Sequence, residues 1–298
     1  MEPVDKRKGF GRRAGACGSL LALLAFAAPA QASDCPVVFV SIPPQAWLVK
    51  RLAGETVEVQ TLLVAGANPH TFEPGARQIK KLSEASLFLT IGMPFERLLA
   101  ERAAKLNPRL AVAGVDAGIA KLGSHAHGHD HPGHLCSSEG GDPHIWLSPR
   151  LFSVMASNTA AALAQALPLP REALEQQLIR TVAEIGEVER AVRAATQALR
   201  VKTWVVYHPS WSYFAQDYGL SLLVLEEDGK APSARHLAEV IERARAAGVR
   251  TVFAEAQYDK RPAQTLAAQL GARVETLDPL REDWPALMRE AVEKLAVE

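Results

Sequence analysis

Two sets of four short β-rich runs, separated by one long proline-free segment, constrain the fold more than any other feature of this chain. The runs lie at 37–42, 57–64, 87–91 and 110–115 and then at 203–207, 221–225, 251–254 and 273–277. Amphipathic segments of helical period alternate with them, a pattern typical of α/β domains with parallel sheets. We therefore predict an α/β fold of two lobes, each with a four-stranded parallel sheet flanked by helices.

The segment between the two sets, 171–199, predicts a single long helix. Apolar residues recur every three or four positions from Leu174 to Leu199, which places them on one helical face. At about 1.5 Å per residue the helix would be ~43 Å long and could run along both lobes. We interpret it as a connector between an N-terminal lobe at 33–170 and a C-terminal lobe at 200–298, with an ordinary surface helix as the alternative.

Residues 1–32 are predicted to be a cleavable export signal outside the fold. A basic stretch ending at Arg13 precedes an apolar run from Ala14 to Ala28, and the small residues Ala30 and Ala32 define a cleavage site. The apolar run is shorter than the ~20 residues of a membrane span. Removal of the leader would convert a precursor with 33 basic and 33 acidic residues into a mildly acidic, exported chain. This charge balance does not favour nucleic-acid binding, for which basic chains are typical.

Histidine is the residue type that points to chemistry, because the chain has nine histidines and only three cysteines. Five of them lie in the segment 124–134 among small, turn-forming residues, namely His125, His127, His129, His131 and His134. This segment has no hydrophobic periodicity, so we predict a mobile loop that binds metal ions loosely as an accessory site. His236 lies in a predicted helix and is interpreted as structural.

The three remaining histidines share their sequence context with one aspartate. His70, His144, His208 and Asp278 each adjoin a proline and each lie in a turn at a strand end or helix start. Ligands of open parallel sheets bind beyond the carboxyl ends of the strands, and the prolines restrict the backbone there. Three imidazoles and one carboxylate suit zinc. Because each half supplies two of these residues, we predict one metal ion in the cleft between the lobes.

The stretches around these residues resemble a known family. The matching stretches occur in the same order as in that family and lie at 68–74, 142–149, 208–220, 253–257 and 277–280. The family comprises the metal-binding proteins of zinc and manganese ABC importers, the ZnuA-like cluster A-I solute-binding proteins. The resemblance implies two α/β lobes joined by a long helix and one metal ion held at His70, His144, His208 and Asp278. It also implies an integral-membrane ABC permease as the partner, and we expect the carrier to be a monomer.

Residue 208 bears on the choice of metal. In the family that the chain resembles, a glutamate at this position accompanies manganese, and a histidine is typical of the zinc proteins. Replacing a hard oxygen by a borderline nitrogen shifts the preference from Mn²⁺ towards Zn²⁺. We therefore expect Zn²⁺ as the transported ligand, with Mn²⁺ or Fe²⁺ in the same fold as the alternative. Some zinc members use a Glu near the first histidine, but Pro69 precedes His70, so Asp278 is the expected fourth ligand, with solvent or Glu73 as alternatives.

A zinc hydrolase and an adhesin are the competing functions. A hydrolase would need an open water position and a carboxylate base such as Glu73 or Glu255. The sequence has no His-Glu-x-x-His segment, and with Asp278 bound no water position remains. The sequence shows no adhesive repeat and no lipid anchor that would support an adhesin. We therefore expect a carrier and not an enzyme.

The two cysteines that remain after cleavage are expected to pair. Cys35 and Cys136 could form a disulfide in an oxidising compartment. Free thiols, or metal binding by Cys136, are the alternatives.

Overall fold

The computed structural model describes residues 35–64, 66–123, 141–227 and 229–296. The predicted leader and the predicted histidine loop lie outside these ranges. Cys35 is exposed, with its Sγ atom 3.6 Å from the carbonyl oxygen of Glu55. Its predicted partner Cys136 also lies outside the described residues, so the disulfide stays a prediction. In the described part of the chain, no helix combines the length and apolarity needed to cross a bilayer.

The first half of the chain forms one parallel four-stranded sheet with the strand order β2-β1-β3-β4. Its strands are β1 Val37–Val40, β2 Glu58–Thr61, β3 Leu87–Thr90 and β4 Ala111–Gly114. Its helices are α1 Pro43–Ala53, α2 Ala76–Ser83 and α3 Glu96–Leu106. All four strands fall within the runs predicted from sequence.

The second half forms a parallel sheet of the same topology, with the order β6-β5-β7-β8. Its strands are β5 Thr203–Val206, β6 Ser221–Val224, β7 Thr251–Glu255 and β8 Arg273–Leu277. Its helices are α6 Ser212–Tyr218, α7 Ala234–Ala246, α8 Arg261–Leu270 and α9 Trp284–Ala296. The predicted fold class, two lobes with a four-stranded parallel sheet each, is confirmed.

Burial on both faces explains why the inner strands consist of consecutive apolar residues. Val38 and Val40 in β1 and Val252 in β7 have no exposed surface, and Phe39 and Phe253 are at most 3% exposed. Helices cover both faces of a parallel sheet, so its central strands have no side that can remain polar.

Two helices lie between the two sheets along the chain. α4 spans Pro149–Ala166, and α5 spans Arg171–Ala198, in agreement with the long helix predicted there. α5 packs against α4 and α1 and also against α9 of the second half. Its buried residues follow the predicted helical face and include Leu174, Ile185, Val188 and Val192.

Aromatic side chains join the two halves into a continuous apolar core. Trp284 of α9 stacks on Phe152 of α4, with ring centroids 4.2 Å apart and an interplanar angle of 18°. The indole N–H of Trp146 donates to the carbonyl of Pro279 at 2.8 Å, and that of Trp284 donates to the carbonyl of Trp146 at 2.7 Å. One cluster of buried apolar residues therefore includes strands of both sheets, from Val38 to Trp204.

Candidate metal centre

Three histidines from three separate turns meet beyond the carboxyl ends of the strands. His70 lies in the loop between β2 and α2, and His144 lies just before the 3₁₀ turn Ile145–Leu147 that leads into α4. His208 follows β5 and precedes the 3₁₀ turn Pro209–Trp211. Their potential ligand atoms all lie within 4.8 Å of one another. The structure thus brings together three of the four ligands predicted from sequence.

The three rings differ in their exposure. The ring centroid of His208 lies 4.6 Å from that of His70 and 5.1 Å from that of His144, and the His70 and His144 centroids are 5.6 Å apart. His144 and His208 are only 5% and 8% exposed, whereas His70 is exposed to solvent. His70 is therefore the solvent-facing member of the group.

A carboxylate orients each of the two buried imidazoles. Asp142 Oδ1 lies 2.6 Å from His144 Nδ1 and also accepts the His144 backbone N–H at 2.9 Å. Glu226 Oε1 lies 2.7 Å from His208 Nδ1. A carboxylate at Nδ1 fixes the ring orientation and the tautomer, which leaves Nε2 as the atom that can bind a metal ion. Burial alone would raise the pKa of Asp142, but the charge and hydrogen bond of His144 bring it below its usual range.

The imidazole of His70 is uncharged at neutral pH, so it can bind a cation. Burial of its ring by neighbouring atoms, although the residue is exposed as a whole, lowers its pKa to about 3. The positive charges that His208 and His144 would carry lower it further, and Asp142 opposes the shift. A neutral imidazole is the form that donates an electron pair to a metal ion.

Local sequence explains the backbone at two of the three ligands. Asn68 Oδ1 accepts the backbone N–H of His70 at 2.8 Å, and Pro69 between them fixes its own φ. Gly141, before Asp142, has a φ of +74°, and a Cβ atom there would lie 2.8 Å from the carbonyl oxygen of Leu122. A residue with a side chain at 141 would therefore displace the segment that carries Asp142.

Asp278 lies outside the three-histidine group. It follows β8, and its Oδ1 accepts hydrogen bonds from Gln257 Nε2 at 2.6 Å and from the Leu280 backbone N–H at 3.0 Å. Glu73, an alternative fourth ligand, is exposed and is likewise outside the group. The fourth ligand therefore stays a prediction.

The cavity beside the histidines is lined mainly by residues of the second half. Besides the three imidazoles, its lining comprises Pro69, Trp146, Ser210, Glu255, Gln257, Tyr258, Pro279 and Leu280. Glu255 is 3% exposed and accepts a hydrogen bond from Ser210 Oγ at 2.7 Å. Burial raises the pKa of Glu255 to about 8.

The remaining histidines fall into two groups. His125, His127, His129, His131 and His134 lie outside the described residues, so their accessory role stays a prediction. His236 lies in the first turn of α7, where its Nε2 is 3.0 Å from the carbonyl oxygen of Val224. It is not part of the three-histidine group.

Sequence reasoning missed the two carboxylates behind the ligands. Asp142 could have been found, because an aspartate two residues before His144 is placed to bond the His144 backbone N–H. Glu226 required the strand register. Val206 pairs with Val224 in the β5–β6 ladder, so the residues two positions further on, His208 and Glu226, emerge side by side.

The fold and the site together define the class of this protein as a two-lobed solute-binding protein with a candidate metal centre between its lobes. The chain belongs to the family described as zinc-uptake complex component A, periplasmic (ZnuA), whose pattern matches residues 38–297. Proteins of this family are carriers, so the prediction that the chain is not an enzyme is confirmed.

Solved and curated relatives agree with this membership. A crystal structure of ZnuA is 33% identical with a TM-score of 0.81, covering 88% of this chain and 98% of that chain. A zinc-bound ZnuA deletion mutant is 35% identical with a TM-score of 0.79, covering 88% and 97%. The zinc-binding protein AdcA of Streptococcus pyogenes serotype M3 is 26% identical over 271 residues, which cover 83% of this chain and 52% of AdcA. The chain thus spans about half the length of the first curated relatives it matches.

Proposed function

We propose that this protein is a periplasmic zinc-binding protein that holds one Zn²⁺ ion at His70, His144 and His208 and delivers it to an ABC permease. The observation that carries the proposal is the meeting of three imidazoles from three turns, two of them backed by carboxylates. Such carboxylate–histidine pairs are typical of zinc sites, where they orient the ligand and raise its basicity.

The donor set supports zinc over manganese. All three clustered ligands offer nitrogen, a borderline donor that suits Zn²⁺, whereas Mn²⁺ favours carboxylate and other oxygen ligands. A manganese or iron carrier with the same fold is the alternative. The names of the relatives, AdcA as a zinc-binding protein and the zinc-bound ZnuA mutant, agree with zinc.

Asp278 is our proposed fourth ligand, with solvent or Glu73 as alternatives. Its two neighbours, Pro279 and Leu280, line the cavity, so the carboxylate lies on the turn that borders the site. We expect Asp278→Asn to weaken zinc binding while Glu73→Gln leaves it unchanged, as measured by competition with a chelator. If both variants bind zinc as tightly as the wild type, the fourth position belongs to solvent.

The predicted leader supports export to the periplasm, and the family description names that compartment. We propose that the lobes at 33–170 and 200–298, joined through 171–199, act as a monomer whose partner is an integral-membrane permease. The five histidines of 124–134 would bind zinc loosely as an accessory site. Uptake of labelled zinc by vesicles that hold the permease should require this protein and should fail with the triple variant His70→Ala, His144→Ala, His208→Ala.

The decisive test of the cargo is a metal competition. The metal-free mature protein is equilibrated with equal amounts of Zn²⁺, Mn²⁺ and Fe²⁺, and the bound metal and the melting temperature are measured. We expect one zinc ion per chain, and a stabilisation of about 2.7 kcal/mol when free zinc is ~100 times the dissociation constant. Manganese or iron bound in preference to zinc would overturn the assignment. The triple alanine variant is the control for metal bound elsewhere.

A further inference from the structure

Tyr213 is a buried residue of the C-terminal half that contacts the N-terminal half beside the metal centre. It lies in the first turn of α6 and is only 2% exposed. Its hydroxyl donates to the backbone carbonyl oxygen of Asp142 at 2.6 Å and accepts the backbone N–H of Leu122 at 2.9 Å. Because a phenol has a single hydrogen to donate, these two contacts fix the direction in which the hydroxyl points.

A third hydrogen bond completes this group. The backbone N–H of Asp142 donates to the carbonyl oxygen of Leu122 at 2.8 Å. Both backbone polar groups of Asp142 are therefore held, the N–H by Leu122 and the carbonyl by Tyr213. The carboxylate of the same residue lies 2.6 Å from His144 Nδ1 and accepts the His144 backbone N–H. Tyr213 is thus connected to a predicted metal ligand through Asp142.

The same helix holds the far end of the stretch that carries His144. Ser148, the buried N-cap of α4, donates from its Oγ atom to the carboxylate of Asp217 in α6. Arg150 Nη2 lies 3.2 Å from the other carboxylate oxygen of Asp217. α6 therefore contacts the stretch 142–150 near both of its ends, which fixes where this stretch lies relative to the helix.

This arrangement bears on the two buried ligands, because they come from opposite halves of the chain. The ring centroids of His144 and His208 are 5.1 Å apart. α6 follows directly on the 3₁₀ turn Pro209–Trp211, which begins next to His208. A site binds an ion more tightly when its ligands are already in place, since binding then does not have to order them. A contact between α6 and Asp142 is placed to provide that order.

We propose that Tyr213 is a positioning residue of the metal centre, which holds Asp142, and through it His144, in place against His208 and so raises the affinity for zinc. Tyr213 acts through Asp142 and is not itself a ligand, because its hydroxyl is engaged by two backbone groups. This inference rests on the proposed zinc site and adds a residue of the second half that determines how well the site is ordered.

The test uses Tyr213→Phe, which keeps the buried ring and removes only the hydroxyl. The zinc dissociation constant of the mature protein is measured by competition with a chelator of known affinity. We expect it to rise about three- to tenfold, because ordering Asp142 then opposes binding by about the free energy of one neutral hydrogen bond. The melting temperature of the metal-free variant shows that it is folded.

Tyr218→Phe is the matched control. Tyr218 lies on the same helix, and its ring contacts Phe214 and Arg193. Removing its hydroxyl should leave the zinc dissociation constant at the wild-type value. A merely structural role for the Tyr213 hydroxyl would weaken the metal-free and the zinc-bound protein equally. It would then lower both melting temperatures and leave the dissociation constant unchanged.

A double variant tests whether Tyr213 acts through Asp142. Asp142→Ala removes the carboxylate that orients His144, so there is then little left for the hydroxyl to position. Adding Tyr213→Phe to Asp142→Ala should therefore raise the dissociation constant by less than about twofold, since residues that act in one chain of contacts are not additive.

Three outcomes would overturn this role of Tyr213. They are a wild-type dissociation constant in Tyr213→Phe, an equal rise in Tyr218→Phe, and an undiminished effect of Tyr213→Phe in the Asp142→Ala background. Each of them leaves the zinc site itself in place, because the wild type still binds one ion. A wild-type protein that binds no zinc would instead overturn the proposed function.

Discussion

The two lobes have the same sheet topology but supply their ligands in different ways. Beyond the first strand of the N-terminal sheet, the second residue is Ile42, which is buried and precedes the proline that starts α1. At the matching place in the C-terminal sheet stands His208, also followed by a proline. The N-terminal lobe uses a longer loop after β2 to deliver His70. Both sheets thus have the same arrangement of turns at their carboxyl ends, and the residue type at a single position determines whether the turn can bind a metal ion.

The lobes also differ in how they hold a buried glutamate. Glu96 of the N-terminal lobe is 3% exposed and accepts backbone N–H groups of Ile91, Gly92 and Met93 as well as the hydroxyl of Ser41. Glu255 of the C-terminal lobe is equally buried and accepts a hydrogen bond from Ser210. Burial raises the pKa of both. Glu96, which has more hydrogen bonds, holds the loop at 91–93, whereas Glu255 borders the cavity beside the histidines.

Removing a single metal ligand should weaken zinc binding more than any other change, and the loss should differ between the two lobes. We expect His208→Ala to weaken zinc binding roughly a thousandfold, because it deletes one of four bonds and leaves Glu226 buried beside a void. His70→Ala should cost less, since water can reach the exposed position. Competition with a chelator of known affinity measures both. His236→Ala is the control, and equal losses in the two ligand variants would contradict the contrast between a buried and an exposed ligand.

Neutralising the carboxylates behind the buried imidazoles should give the next largest effect. We expect Glu226→Gln and Asp142→Asn each to weaken zinc binding about 10- to 100-fold, because a neutral amide oxygen replaces the charged acceptor that orients the ring and raises its basicity. The same competition measurement applies, with Glu239→Gln on the surface of α7 as the control. If only one of the two variants weakens binding, the two carboxylates do not have the same role.

Glu255, the buried glutamate of the C-terminal lobe, should make the free energy of unfolding depend on pH. Burial raises the pKa of Glu255 from its usual 4.5 to about 8 in the folded protein, so the folded state holds an extra proton between these values. The free energy of unfolding should therefore fall as the pH rises from 4.5 to 8, by at most about 1.4 kcal/mol per pH unit. Urea unfolding of the metal-free protein measures this slope.

Glu255→Gln is the comparison that isolates this effect. His70 contributes the opposite slope, because its lowered pKa makes stability fall as the pH drops from 6.5 towards 3. Subtracting the curve of Glu255→Gln from that of the wild type removes the contribution of His70. A difference that does not vary with pH would show that Glu255 is ionised throughout the range.

The smallest effect is expected from an ion pair between the halves. Lys50 of α1 contacts Glu282, which precedes α9, but the two side chains are 53% and 46% exposed. Exposed pairs contribute ~0–1 kcal/mol, so Lys50→Met should change the free energy of unfolding by less than about 1 kcal/mol. Trp284→Ala should cost several times more, ~3–5 kcal/mol, because it opens a cavity in the shared core. Urea unfolding of both variants tests whether the apolar core or the surface charge joins the lobes.

Local patterns were enough to predict the strands and the three histidines. Each histidine stands beside a proline next to a strand or helix end, and such turns can be read from sequence alone. The end of β2 was predicted too late, because the apolar run continues through Leu62 and Leu63. These two residues are buried and still hydrogen-bond residues 40 and 41, although the strand ends at Thr61.

Two supporting residues, Glu226 and Gln257, could not be predicted, because their contacts join distant segments. Glu226 reaches His208 through the register of β5 and β6. This contact leaves no periodic or spaced signal in the chain. The orientation of Asp278 likewise depends on Gln257, whose side chain bonds it from the end of another strand.

The stacking of Trp284 on Phe152 has a consequence for how the molecule melts. Because buried residues of both sheets share one apolar cluster, unfolding of either lobe would expose the part of that cluster that belongs to the other lobe. Calorimetry should therefore record one heat-absorption peak for the metal-free protein, and zinc should move that whole peak to higher temperature. Amides in α9 would then gain protection from hydrogen exchange on zinc binding, although α9 supplies no ligand.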